Sequence, residues 1–367
     1  MTDLSFYQET LCDLVSIPSL SGEEAQVAAY IHEFLKRNKI YAERDEHGNV
    51  IAVVGEGEQV LHVNGHMDTV KPVDTWTRDP FAPAVEDGRL YGLGASDMKS
   101  GLVVMMDLAR KVRPRVKTVF SFTVCEEGSG AGGAANGVKA LLETWPGDWA
   151  ITAEGSVKDG VVTLGLGTQG HTVAVVRVEG VSAHSSRPEE GRNAIEGAAR
   201  IVERVRALNE SYPWVPIFAD VRGRSTAAVT QIHGGVASNI IPDLCELTIS
   251  RRLAPGDTKE TFERELDELV GGFDAEVDVR GGDPPARVDV EGRFFEIARD
   301  AARRTIGEEK YSFARGRTDL VLFAAKGIDI LNIGPGTMGQ AHVADEHCRL
   351  EDMPAVSGLL ETLINEI

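Results

Sequence analysis

The amino-acid sequence predicts an α/β fold: a mixed, mostly parallel sheet covered by helices, with an α+β unit inserted into it. Three observations carry that prediction. Short apolar runs at 50–54, 60–63 and 119–124 have the length and β-branched composition of buried strands. Segments with apolar residues at helical spacing alternate with them, the order expected of a sheet packed under helices. Acidic and histidine residues recur just beyond these runs or beside Gly-rich turns, where open α/β sheets place their sites.

Each element follows from its own pattern. Residues 3–16 place Leu4, Tyr7, Leu11, Leu14 and Val15 at helical spacing. Ser21 and Glu24 have the spacing of a capping box, predicting a second helix that buries Val27, Ile31, Phe34 and Leu35. Strands are expected at 50–54, 60–63, 119–124, 149–152 and 328–333. Between about 170 and 282 the pattern changes to strand (172–178), helix (192–208), strands (227–233 and 244–250) and helix (257–270). The last helix is expected to start at Asp257, with Glu260 in capping position and Phe262, Leu266, Leu269 and Val270 buried. Residues 171–283 thus read as a self-contained unit inserted between 1–170 and 284–367, with Gly-Gly-Asp-Pro-Pro at 281–285 as the return hinge.

Composition excludes some partners. The chain has 367 residues, 42% apolar and 26% charged, as ordinary globular proteins have. A net charge of −19 repels nucleic acid and anionic membranes, so neither is an expected partner. Cys12, Cys125, Cys245 and Cys348 show no paired spacing, which points to a reduced, cytoplasmic protein. No basic segment followed by an apolar stretch opens the chain, and no apolar run is long enough to span a bilayer.

The chemistry concentrates in five residues: His66, Asp97, Glu127, Glu154 and His342. Imidazole plus carboxylate without thiolate suits a catalytic zinc pair better than a structural zinc knot. One carboxylate shared between two metals would leave each ion three protein ligands and an open position for water. His66 is followed by Asp68, placed to orient its ring. Asp97 stands between a Gly-rich turn and a helix, and taken alone reads as an N-cap. Glu126 and Glu127 are adjacent at the end of an apolar strand, where they repel unless a cation or proton lies between them. One can bind metal while the other takes a proton from water. Glu154 reads equally well as a loop carboxylate, and His347 competes with His342 for any ligand role.

The ordered segments HMDTV, YGLGASDMKSG, CEEG, AEGS, AHSSRPEEGRNAI, ASNIIPD, RRLAPGD and GPGTMGQAHVADEH together resemble the zinc aminoacylase–carboxypeptidase family. That family includes succinyl-diaminopimelate desuccinylase, acetylornithine deacetylase and carboxypeptidase G. The likeness spans nearly the whole chain and looks closest to desuccinylases of the Gram-positive type. It implies that Asp97 bridges two zinc ions, one completed by His66 and Glu154, the other by Glu127 and His342. It further implies Glu126 as general base, Asp68 as the residue orienting His66, and His184 as a lid-unit histidine that reaches a partner subunit's site and supports the oxyanion. Asn239, Arg252 and Thr318 match substrate contacts, Arg252 with a fork suited to a carboxylate. Two departures stand out: Ser250 replaces the usual Asp two residues before Arg252, and Glu154 is followed by Gly155-Ser156 where many members have Pro-Thr.

The expectations are therefore specific. The chain resembles a two-zinc amide hydrolase, with Co2+ or Mn2+ accepting the same ligands. Its substrate would be a small N-acyl amino acid, such as N-succinyl-diaminopimelate; the alternatives on the same centre are an acetylornithine deacetylase or a metallo-exopeptidase or dipeptidase acting on a short peptide. The family also implies a homodimer formed through the inserted lid and dimerisation unit. A scaffold protein lacking catalysis would gain little from keeping Glu126 beside all five ligands.

Overall fold

The computed structural model describes residues 4–128 and 136–367. The chain divides into two compact units: Met1–Gly167, Arg287–Ala314 and Thr318–Ile367 form the first, and Thr168–Ala286 with Arg315–Arg317 the second.

The first unit is built on a mixed sheet whose central order is Val50–Val54, Lys117–Thr123, Val60–His66, Trp149–Gly155, Asp329–Gly334 and Leu164–Thr168. The four inner strands run parallel. The two outer ones are antiparallel to their neighbours. Several strands outrun their apolar patterns. The run at 60–63 continues to His66 because the buried Asn64 amide donates to the hydroxyls of Ser121 (3.1 Å) and Thr123 (3.2 Å). A polar side chain that finds such partners no longer ends a strand.

Helices Leu4–Val15, Ser100–Lys111 and Asp352–Glu366 pack together. Residue 3, the expected start of the first, lies outside the described residues. Asp107 joins all three: its carboxylate accepts the hydroxyls of Tyr7 (2.5 Å) and Ser357 (3.0 Å), and Arg110 and Lys111 balance its charge. The Ser100–Lys111 helix also lies hard against the Trp149–Gly155 strand. At Gly101 an added Cβ would stand 2.1 Å from the Ala153 carbonyl oxygen, so only glycine permits this approach.

The expected capping box does not form. The second helix, Ala25–Arg37, starts after Glu24, whose carboxylate accepts the N–H groups of Gly22 (2.9 Å) and Cys125 (3.1 Å). The Ser21 hydroxyl donates instead to Asp68, at 2.6 Å. A charged acceptor close by outcompetes the helix end.

The second unit is a four-stranded antiparallel sheet in the order Thr226–Gly234, Leu244–Leu253, Gly170–Glu179 and Ala275–Asp283. Helices Ala194–Ser211 and Lys259–Val270 share its core with Ala174, Val176, Leu247 and Ile249. The sequence pattern does not anticipate the strand Ala275–Asp283. It is an edge strand, mostly exposed, so its alternation is blurred by charge, and it absorbs the first three residues of the expected hinge. The second helix is capped by Thr258, whose hydroxyl accepts the Thr261 N–H, and not by Asp257. Asp257 is engaged elsewhere, by Arg251 (2.6 Å) and the Ser225 hydroxyl (2.5 Å).

Alternation along Leu244–Leu253 gives adjacent arginines opposite fates. Arg251 shares the core face with Leu247 and Ile249 and is 0% exposed. It is held by Asp257, by Glu265 (3.0 Å) and by the face of Tyr212, 4.1 Å from the ring centre. Arg252 lies on the other face with Ser250, whose hydroxyl meets the His171 ring at 3.1 Å. Removing Arg251 strands two carboxylates. Arg251→Ala is expected to destabilise the second unit by about 3–5 kcal/mol, and Arg252→Ala by less than ~1 kcal/mol. Denaturant titration of both variants, followed by circular dichroism, checks the difference.

Candidate metal centre

Because the inner strands are parallel, their C-terminal ends meet at one edge of the sheet. His66 ends its strand opposite Thr123, and Glu154 lies one residue from the end of the neighbouring Trp149–Gly155 strand. Just past Thr123, Cys125 turns the chain at φ 56, a left-handed conformation uncommon outside glycine, and Glu126 and Glu127 follow. Asp97 arrives in a turn that begins at Gly94, φ 80, where a Cβ would strike the Thr69 side chain at 2.7 Å. The Asp97–Met98 peptide bond is cis. His342 arrives on a loop, itself at φ 62. Two left-handed residues other than glycine beside one cluster mark a backbone held in place by its surroundings.

The side chains converge in two tight groups. One contains His66, Glu126 and Glu127; the other contains Asp97, Glu127 and His342, with ligand atoms within 4.8 Å of one another in each. Asp97 faces both imidazoles, 3.3 Å from His66 Nε2 and 3.8 Å from His342 Nε2 through different oxygens. The Glu127 carboxylate meets His342 Nε2 at 2.9 and 3.0 Å. Glu154 is in neither tight group, but its charge acts on Glu126. His347 is not part of the cluster; its ring packs on Tyr91, 4.9 Å between centres. Between the two competing histidines, geometry selects His342.

Asp68 is fully buried and accepts the backbone N–H groups of Glu126 and Glu127, both at 3.0 Å, and the Ser21 hydroxyl. Its backbone carbonyl oxygen lies 3.0 Å from His66 Nδ1, and its carboxylate 3.5 Å away. It therefore does more than orient one ring: it also fixes the turn that aims the two glutamates.

Electrostatics here are dominated by crowding. Burial raises Glu126 well above the usual carboxylate range, with Asp319, Glu154 and Glu127 adding repulsion that His66 partly offsets. Burial likewise raises Glu127, opposed by its hydrogen bond to His342. Glu154 is pushed up to about 8 by burial, with repulsion from Asp97, Asp319 and Glu127 opposed by His66. For His66 burial opposes the charged ring, yet the carboxylates of Asp68 and Asp97 hold it well above its ordinary value. Carboxyl groups crowded around two imidazoles, all oxygen and nitrogen donors, are a set that divalent cations neutralise, so the residues fit a metal pair. Cys125, beside them, has its thiol pushed up to about 12 by burial and by Glu24, an inert neighbour.

Sequence reasoning missed two contributors. Asp319 is 1% exposed, accepts the Asn136 amide at 2.9 Å and presses on Glu126 and Glu154. It follows Thr318, which is buried and caps the Leu320 N–H through its hydroxyl at 3.4 Å. Glu346 is buried behind Asp97 and burial pushes it up to about 7. Only their proximity in the fold distinguishes these from surface acids. Three expected site residues lie in the second unit. His184 faces Ile240 across a short ladder and its ring meets the Ser186 hydroxyl at 2.8 Å; the Asn239 carbonyl accepts the Ser185 N–H at 2.9 Å; Arg252 stands on Leu244–Leu253.

The family model for peptidase family M20/M25/M40 matches residues 62–366. A succinyl-diaminopimelate desuccinylase of Xylella fastidiosa (strain 9a5c) is 30% identical over 379 residues, covering 97% of each chain. One from Stenotrophomonas maltophilia (strain K279a) is 28% identical over 386 residues, covering 99% of this chain and 100% of the relative. These two do not bear on the finer likeness to the Gram-positive type. Among solved structures, a Staphylococcus aureus tripeptidase superposes with a TM-score of 0.79 at 23% identity, covering 99% of this chain and 98% of the other. A Bacillus subtilis dinuclear metal-binding peptidase of the M20 family superposes with a TM-score of 0.71 at 18% identity, covering 99% of each chain. The same α/β architecture is thus shared. With its model matched over most of the sequence, the chain belongs to peptidase family M20/M25/M40, a family of metal-dependent hydrolases of amide bonds.

Proposed function

We propose that the chain is a two-metal deacylase that removes an N-acyl group, succinyl first among candidates, from an amino acid such as N-succinyl-diaminopimelate. The cluster of His66, Asp97, Glu126, Glu127, Glu154 and His342 at one sheet edge, buried or half-buried except at the exposed His342, carries the reading. The full-length likeness to desuccinylases supports the choice of acyl group.

In this reading His66, Asp97 and Glu154 would hold one zinc ion, and Asp97, Glu127 and His342 a second. Bound there, the pair would lower the pKa of water and polarise the scissile carbonyl. Glu126 has the remaining task. Its carboxylate takes one proton from the water that adds to the amide carbon, then delivers it to the nitrogen as the C–N bond breaks, leaving an acid and a free amine. Asp68 keeps the Glu126 backbone and the His66 ring in register throughout. His184 supporting the oxyanion, and Asn239, Arg252 and Thr318 holding the substrate, complete the assignment.

We further infer a homodimer through the second unit, in a reducing, cytoplasmic setting. Thr226–Gly234 is an exposed edge strand, and Ile232, Leu244 and Val236 (84% exposed) stand on or near it. Such an edge is a template for pairing with a second chain. The four cysteines are free, and no described helix is long and apolar enough to cross a membrane.

Four outcomes are expected. On zinc-loaded enzyme, kcat/KM for N-succinyl-diaminopimelate should exceed that for N-acetylornithine or dipeptides by about a hundredfold, roughly 2.7 kcal/mol. Glu126→Gln should keep its metal and lose about 10²–10⁴ in turnover; dipeptide preference would turn the reading to an exopeptidase, and near-normal turnover of the variant would remove Glu126 from its role. In metal-free protein, a carboxyl raised in the fold to about 8 contributes stability fully present below its ordinary 4.5 and lost as pH climbs toward 8. The melting temperature of the metal-free wild type should therefore fall across that window relative to Glu154→Gln, and zinc should abolish the difference; scanning fluorimetry reads it. Finally, Ile232→Lys with Val236→Lys should shift sedimentation from dimer toward monomer.

A further inference from the structure

Glu346 is a buried acid with no place in the cation set, 2% exposed, and its carboxylate is fully occupied by backbone. Oε1 accepts the N–H groups of Ser96 (2.7 Å) and Asp97 (2.9 Å), and Oε2 accepts that of Gly94 (2.9 Å). Its own backbone carbonyl accepts the N–H of Gly92, at 2.9 Å. One residue therefore fixes the 92–97 turn at four points. It does so from the loop that also carries His342, four positions earlier in the chain.

That placement ties together two side chains that must act at one distance. Asp97 lies 3.3 Å from His66 and 3.8 Å from His342 only while its turn is held. The His342 loop has a second anchor, since Asp345 accepts the N–H (3.1 Å) and hydroxyl (2.6 Å) of Thr77. The Asp97 turn has one too, through the Ser96 hydroxyl and Thr337. Glu346 joins turn to loop through a carboxylate that accepts three backbone N–H groups. Chemistry explains the residue type. A carboxylate offers two oxygens that accept all three N–H groups; an amide offers one oxygen and would turn an NH2 donor against a donor.

We propose that Glu346 is a positioning residue for the metal pair: it sets the spacing between Asp97 and His342 so that one carboxylate can serve both cations. The inference rests on the two-metal reading above. A loop staple of purely structural kind would alter stability and leave cation affinity unchanged. A positioning residue alters cation affinity, most at the site formed by Asp97, Glu127 and His342, where both the turn and the loop lose their tie.

The test starts from zinc-loaded wild type, Glu346→Gln and Glu346→Asp, each equilibrated against a chromophoric chelator that reports zinc release. Wild type should give up two ions per chain. Glu346→Gln should hold one ion somewhat more weakly than wild type and the second about 10–100-fold more weakly, in line with other residues that orient metal ligands. Excess free zinc should refill that site and recover turnover, which it could not do for a folding defect. Glu346→Asp, charged but shorter, should show the same effect to a lesser degree, and it decides the matter if the glutamine variant does not fold. Two ions held by the variants with wild-type affinity would overturn the proposal. A wild type that binds fewer than two would overturn the two-metal reading itself.

Discussion

Everything at this site depends on keeping like charges close together out of water. Asp97, Glu126, Glu127, Glu154 and Asp319 are drawn into one buried corner, and burial is the largest force on the protonation of the three glutamates. No folded chain assembles such a corner unless the rest of the structure is rigid enough to hold it. The parallel sheet supplies that rigidity, since its inner strands end together and cannot slip without turning buried faces outward. The backbone N–H groups supply the rest. Asp68 and Glu346 between them collect five, and so convert two more acids into struts.

Much of this was legible in the sequence, for a physical reason. His66, Asp97, Glu127, Glu154 and His342 are chemically unusual where they stand, polar residues ending apolar runs or Gly-rich turns, and their order carries the family likeness. The strands could be read because their apolar cores are continuous. What could not be read was the fate of polar residues that find partners far along the chain. Asn64 continues a strand because Ser121 and Thr123 accept its amide. Ser21 abandons a helix end for Asp68, and Asp257 leaves another for Arg251. Asp319 and Glu346 look like surface acids until the fold buries them.

The paired arginines show the same limit in a narrower frame. Nothing in the local run Arg-Arg-Leu distinguishes Arg251 from Arg252. Strand pleating does so completely, sending one into the core beneath Tyr212 and leaving the other beside Ser250 and His171. The departure at Ser250 falls on the Arg252 face, where its hydroxyl meets His171, and leaves the core face untouched.

The glycine at 101 has a wider meaning in this light. Asp97 and Glu154 are far apart in the chain, and the helix that follows one rests directly on the strand that carries the other. The gap between them is gauged by a missing methyl group, with the Ala153 carbonyl 2.1 Å from where it would sit. Any side chain there would act as a shim, prising Asp97 and Glu154 apart without touching either. The dimension of the proposed metal centre is thus written into a residue that has no functional group at all.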